Sequence, residues 1–90
     1  MKAHQATTTE TTIAAAGNRD FVHIFNVSDT TVYVKYDGDS DAVTTALGVP
    51  IAAGGALLLE NSGVRKTFTD PITCIHGGSG NKELRIQGVE

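Results

Sequence analysis

Tryptophan is missing from this 90-residue chain, and Cys74 is its only cysteine. A lone cysteine excludes an intrachain disulfide. Clustered positive charge is missing too. Lys2, Arg19, Lys35, Arg65, Lys66, Lys82 and Arg85 are scattered, and the formal net charge is −3. A surface that tracks phosphates needs grouped Lys and Arg with stacking aromatics. Only Tyr33 and Tyr36 flank Lys35, so nucleic acid is not an expected partner. No apolar run approaches the roughly 18–20 residues of a membrane span. The opening, MKAHQATTTETTIAAAG, lacks the apolar centre of a signal peptide. No membrane partner is expected, and synthesis in a reducing cytosol agrees with the single thiol.

Helix signals are equally scarce. Ala14-Ala15-Ala16 is the one helix-friendly patch, and Gly17-Asn18 ends it after about a turn. What fills the chain instead is β-branched and aromatic residues at period two. Phe21 to Phe25 (FVHIF) reads as a strand, Asn26 to Thr30 as a turn, and Thr31 to Tyr36 (TVYVKY) as a second strand. Val32, Val34 and Tyr36 share one face of that second strand, and the pair is expected to form a hairpin. Pro50 assigns Gly48 to Ile51 to an edge or a strand start, because proline cannot donate to a ladder. Ala52-Ala53-Gly54-Gly55 is a turn, and Ala56 to Glu60 (ALLLE) reads as a core strand. Val64 to Phe68 is extended between Asn61-Ser62-Gly63 and Asp70-Pro71. Ile72 to His76 and Glu83 to Gln87 are strands joined by a hairpin loop over Gly77 to Asn81, with Leu84 and Ile86 inward. Phe21, Phe25 and Phe68 read as core residues.

The expectation is all-β: a small antiparallel sandwich or barrel of six to eight short strands, with an extended N-terminal arm. The arm covers residues 1–12 and the single domain residues 13–90. Thr7 to Ile13 (TTTETTI) has little to bury, and its threonines suit an edge or an arm. A chain of this size buries only about 60–65% of the surface its unfolded form exposes, so its stability margin is thin, and without a disulfide the usual supplements left are a metal or a partner.

Few residues suggest chemistry. Asp37, Asp39 and Asp41 alternate in YDGDSDAVTT as the first ligands of a calcium loop do. Counted from Asp37, however, Ala42 stands at the turn-glycine position and Gly48 at that of the bidentate glutamate, so the stretch reads as a solvated loop. His23, Cys74 and His76 are the only soft metal ligands with any claim to proximity. They lack a paired motif, and Cys74 reads as a small buried residue with the histidines on half-exposed faces. Ser28, Ser40, Ser62 and Ser79 sit in turns, and no helix follows Gly77, Gly78 and Gly80 to make a phosphate cradle. No metal, no cofactor and no catalysis is expected.

Three segments carry a resemblance. Arg19 to Val34 is a strand, an Asn-x-Ser-Asp turn and a strand. Gly48-Val49-Pro50-Ile51-Ala52-Ala53-Gly54-Gly55-Ala56-Leu57 is a glycine, apolar, double-glycine segment, and Ile75-His76-Gly77-Gly78-Ser79-Gly80 precedes a final Leu84-Arg85-Ile86. In that order they resemble the small β-sandwich head decoration or cement proteins of tailed bacteriophages, with Ala53 standing where proline often precedes the paired glycines. The resemblance implies a virion structural protein made in the host cytoplasm and seated on the capsid surface. It also implies that trimers or other clusters bind and stabilise the major capsid protein. The residues expected to touch partners are Thr7, Thr8, Thr9, Glu10, Thr11, Thr12 and Ile13 in the arm, Tyr33, and Asp37, Asp39 and Asp41. Residues 5–13 are expected to reach an adjacent subunit, with the Asp37–Gly48 and Gly77–Asn81 loops at the ends of the sandwich. The alternative is a tail or fibre module that recognises a host surface or glycan, for which Tyr33 is the one aromatic platform.

Overall fold

A computed structural model describes residues 2–14, 21–36, 43–60 and 71–88. Among the described residues eight strands form: β1 (Lys2–Ala6), β2 (Thr11–Ala14), β3 (Phe21–Asn26), β4 (Val32–Lys35), β5 (Val49–Ile51), β6 (Ala56–Glu60), β7 (Ile72–His76) and β8 (Lys82–Gln87). They pair into two four-stranded sheets, ordered β1-β8-β3-β6 and β2-β7-β4-β5. Every pairing is antiparallel. This is the strand order of an eight-stranded jelly roll, in which the chain crosses between sheets at nearly every connection.

Alternation explains the core. Val22 and Ile24 on β3, Leu84 and Ile86 on β8, Val32 and Val34 on β4, and Ile72 and Cys74 on β7 turn to the interior and are fully buried. They join Ala6, Ile13 and Ile51 in one cluster between the sheets. Each fully buried Val, Leu or Ile contributes about 1.5–3 kcal/mol relative to exposure. The expected strands at Phe21, Ile72 and Glu83 and the edge position of Pro50 are all present. So is the turn at Ala52–Gly55, closed by the Gly55 N–H donating to Ala52 O at 2.8 Å with Gly54 at φ +77°.

Several expectations need correction. β3 and β4 are not a hairpin: β3 lies between β6 and β8, and β4 between β5 and β7. Each strand has a single apolar face, and crossing the gap sets those faces against each other instead of side by side. Gly77 to Asn81 likewise joins β7 and β8 across the two sheets. Ala56 to Glu60 is a strand but lies at a sheet edge.

The expected separate N-terminal arm is not confirmed. Lys2–Ala6 pairs along its length with β8, and Thr11–Ala14 pairs with β7, so both are edge strands of the sandwich. Burial of Ala6 and Ile13 anchors them. The radius of gyration, 12.2 Å, matches the roughly 12 Å of one compact domain this long. The extended stretch expected at Val64 to Phe68 lies outside the described residues, as does Phe68 itself.

Two buried polar side chains hold the corners that make these crossings. Asn26 donates from Nδ2 to Thr30 O (2.9 Å), Ile51 O (2.8 Å) and Ala52 O (3.2 Å), and its Oδ1 accepts from the Ser28 N–H and hydroxyl. His76, fully buried rather than half-exposed, accepts the Gly78 N–H at Nδ1 (3.1 Å) and reaches Gly80 O from Nε2 (2.7 Å). Because Gly78 N–H can only donate and Gly80 O only accept, the ring carries its proton on Nε2.

Candidate interaction surface

Four connections gather at one end of the sandwich: residues 7–10, 27–31, 52–55 and 77–81. Thr7 O accepts the His76 N–H at 3.1 Å, and Thr7 Oγ1 donates to Thr9 O at 2.9 Å, so the threonine turn is tied to its neighbours. Asp29, in the 27–31 connection, and Lys82, the first residue of β8, pair at 2.9 Å. The ammonium beside Asp29 and the Thr30 hydroxyl hold its carboxyl below the ordinary value. An exposed pair of this kind is worth little in stability.

The expected partner residues divide sharply in their surroundings. Thr8, Thr9 and Thr12 are exposed at the β1–β2 side. Ile13 is buried in the core. Thr11 is half-buried, with its hydroxyl 3.0 Å from His4 Nε2 and 3.3 Å from Cys74 Sγ, a polar chain linking the two sheets. Burial, then the charge on Lys2, lowers the pKa of His4. Burial raises that of Cys74. Within this chain, Thr11 and Ile13 hold the two sheets together. The Thr12–Ala14 stretch of β2 also carries a register irregularity against β7.

Glu10 latches a different segment. Its carboxylate accepts the Val43 N–H at 3.0 Å and a hydrogen bond from Thr73, and these two bonds lower its pKa. Val43 is buried, and a Cβ on Gly48 would stand 2.8 Å from Tyr33 Cβ and 2.9 Å from Val43 Cγ2. Residues 43–48 thus lie against the outer face of the β2-β7-β4-β5 sheet at Tyr33, rather than standing out at an end. Tyr33 points away from the core as expected, but this strap leaves it half-buried, a poor flat platform. Asp37, Asp39 and Asp41 lie outside the described residues.

The metal reading gathers no ligands: His23 faces outward on β3, whereas Cys74 and His76 face inward on β7. No cluster of three or more His, Cys, Asp or Glu side chains occurs among the described residues. Nor does any buried polar side-chain atom among them lack a partner. No described helix is long and apolar enough to cross a membrane.

The surface that sequence reasoning missed is the outer face of the other sheet. Because Val22, Ile24 and Asn26 turn inward, Phe21, His23 and Phe25 must turn outward, and the expectation that Phe21 and Phe25 belong to the core is corrected. Phe21 is 42% exposed, and the His23 and Phe25 rings pack with centroids 4.1 Å apart. Leu58, opposite His23 on β6, is 48% exposed. On the β8 side the same face is polar: Arg85 and Gln87 stand opposite Phe25 and His23, and Arg85 pairs with Glu83 at 2.7 Å. One half of this face is therefore apolar and the other charged. The available signal was Leu57-Leu58-Leu59, which is apolar on both faces of any strand. The chain matches no protein-family profile, no curated protein and no solved structure.

Proposed function

We propose that this chain is a non-enzymatic virion structural protein, a capsid decoration or cement protein that binds and stabilises the lattice of the major capsid protein. The observation that carries the reading is the strand order: two four-stranded sheets wound as a jelly roll, an architecture that recurs in viral capsid domains. Jelly rolls also serve as lectins, and the order of the three resembling segments supports the capsid role among them. The polar groups of the interior add support. Asn26, His76, Thr11 and Cys74 are engaged with one another or with backbone, in bonds that hold corners and sheets.

The contact surface for the capsid is the threonine-rich side, where Thr8, Thr9 and Thr12 are exposed beside the turn at residues 7–10. The register irregularity in β2 and Lys2 on β1 discourage strand addition there, so recognition is by hydroxyls and shape. Trimers or other clusters would spread that contact over several capsid subunits and add stability by mass action.

The test is co-sedimentation of the full chain with expanded capsid shells of its phage, stripped of bound proteins. Saturable occupancy and a raised melting temperature of the shell are expected. Thr8→Lys combined with Thr12→Lys should lower occupancy while leaving the free protein folded. Absence of occupancy by the wild-type chain at micromolar concentrations would overturn the reading.

A further inference from the structure

An antiparallel sandwich has four sheet edges, each a row of unpaired backbone groups that can template another strand. Three of these edges carry the usual devices against such pairing. β5 is three residues long and contains Pro50. β2 is irregular between Thr12 and Ala14. β1 begins at Lys2 and carries His4. The fourth, β6, carries none: its register with β3 runs unbroken from Phe21↔Glu60 to Phe25↔Ala56, and it has no proline, no bulge and no basic residue. Among the described residues β3 is its only ladder partner.

The edge is also apolar on both sides. Leu57 and Leu59 are only partly buried against the core, and Leu58 is 48% exposed on the outer face beside Phe21. Val49, on the edge strand of the facing sheet, is 38% exposed. A strand that completed this edge would need apolar residues on both faces, one set to cover Leu57 and Leu59 and the other to lie beside Leu58. Among the described strands, β6 itself has that composition.

We infer that β6 pairs with β6 of a second copy, antiparallel and two-fold symmetric about Leu58, to make a continuous eight-stranded sheet. In that register Leu58 meets Leu58, Leu57 meets Leu59, and Glu60 stands opposite Ala56. The apolar halves of the two outer faces then join across the axis. A contact of this kind is isologous and yields pairs, whereas the resemblance implies trimers; it does not depend on whether the chain binds a capsid.

Solution mass by sedimentation, at concentrations up to about 1 mM, tests the inference. The wild-type chain is expected to reach twice its 9.4 kDa. Leu58→Lys, at an exposed position, should stay at the monomer mass, while Ala3→Lys on β1 should dimerise as the wild type does. Leu58→Cys provides a second measure. Cα atoms directly opposite in an antiparallel pair lie about 4.5–5.5 Å apart, within disulfide range, so oxidation should link Leu58→Cys chains and not Ala3→Cys chains. A wild-type chain that is monomeric throughout, or a dimer that survives Leu58→Lys, would overturn the inference. So would a dimer in which Leu58→Cys fails to cross-link. Shell occupancy after Leu58→Lys separates this contact from the capsid contact, because that substitution leaves Thr8 and Thr12 unchanged.

Discussion

Replacing Asn26 with alanine is the sharpest single test of how this sandwich turns its corners. Asn26 is buried, and its amide joins the 27–31 connection to the end of β5: Nδ2 donates to Thr30 O and Ile51 O at 2.9 and 2.8 Å, and Oδ1 accepts from Ser28. The Ile51 bond is buried, so alanine leaves that carbonyl without a donor and without water, at a cost of about 1–3 kcal/mol. The bonds to Thr30 and Ser28 are partly accessible, so water replaces them and their loss costs about 1 kcal/mol together. The sum is about 3 kcal/mol, a large share of the 5–15 kcal/mol that holds a typical domain. With a urea m-value of about 1 kcal/mol/M, the unfolding midpoint should fall by about 3 M. Urea titration followed by circular dichroism, at one fixed protein concentration because self-association adds stability, gives the number.

Asn26→Asp should be worse than Asn26→Ala at neutral pH, because it sets a buried carboxylate against three carbonyl oxygens. Burial raises the folded pKa of such a group, so its penalty develops between the ordinary carboxylate value and the raised one and is complete above the latter. As pH falls through that window the two variants should converge. A midpoint for Asn26→Ala within about 0.5 M of wild type would show that the corner is held by something else.

Three further outcomes follow from the same geometry. Gly88 has φ +97°, and a Cβ there would stand 2.2 Å from Phe21 O, whereas Gly54 at φ +77° has nothing within 4 Å. Gly88→Ala should therefore cost roughly 3 kcal/mol or more against about 1 kcal/mol for Gly54→Ala, read by thermal unfolding, and equal costs would refute the clash. The buried Cys74 thiol, its pKa raised by burial, should resist thiol reagents at pH 8 in the folded chain and react fully in urea; rapid native labelling would contradict its placement. Glu10 has a lowered folded pKa, so its contribution is present above the ordinary glutamate value and is lost as pH falls through the folded one. Glu10→Gln should flatten that acid limb of stability against pH, and an unchanged limb would count against the latch on Val43.

Local sequence was a good guide wherever neighbours along the chain decide structure. Ile72–His76 alternates β-branched residues between turn signals, Pro50 could only sit at an edge, and the paired glycines at 54 and 55 had to turn. It was a poor guide to His76 and Phe21. Period two says that Ile72, Cys74 and His76 share a face, and that Phe21, His23 and Phe25 share another. Whether the histidine or the phenylalanine is the one kept dry depends on loops and strands far along the chain. His76 is buried because Gly78 and Gly80 present it with a donor and an acceptor. The same limit applies to the expected partner residues: Thr8, Thr11 and Ile13 look alike as members of a threonine-rich stretch, yet they are exposed, half-buried and buried in turn.

Composition and alternation, read alone, determined that the chain is all-β, where most of its strands begin, and which residues travel together on a face. Tertiary structure alone decided that β3 and β4 lie in opposite sheets, that the N-terminal residues form two edge strands, and that among the described residues β6 has a ladder partner on one side only. The reason is that any extended backbone can hydrogen-bond to any other, so pairing is chosen by the burial of whole faces at once. That choice joins residues dozens of positions apart, as when Asn26 meets Ile51 or Thr11 meets Cys74.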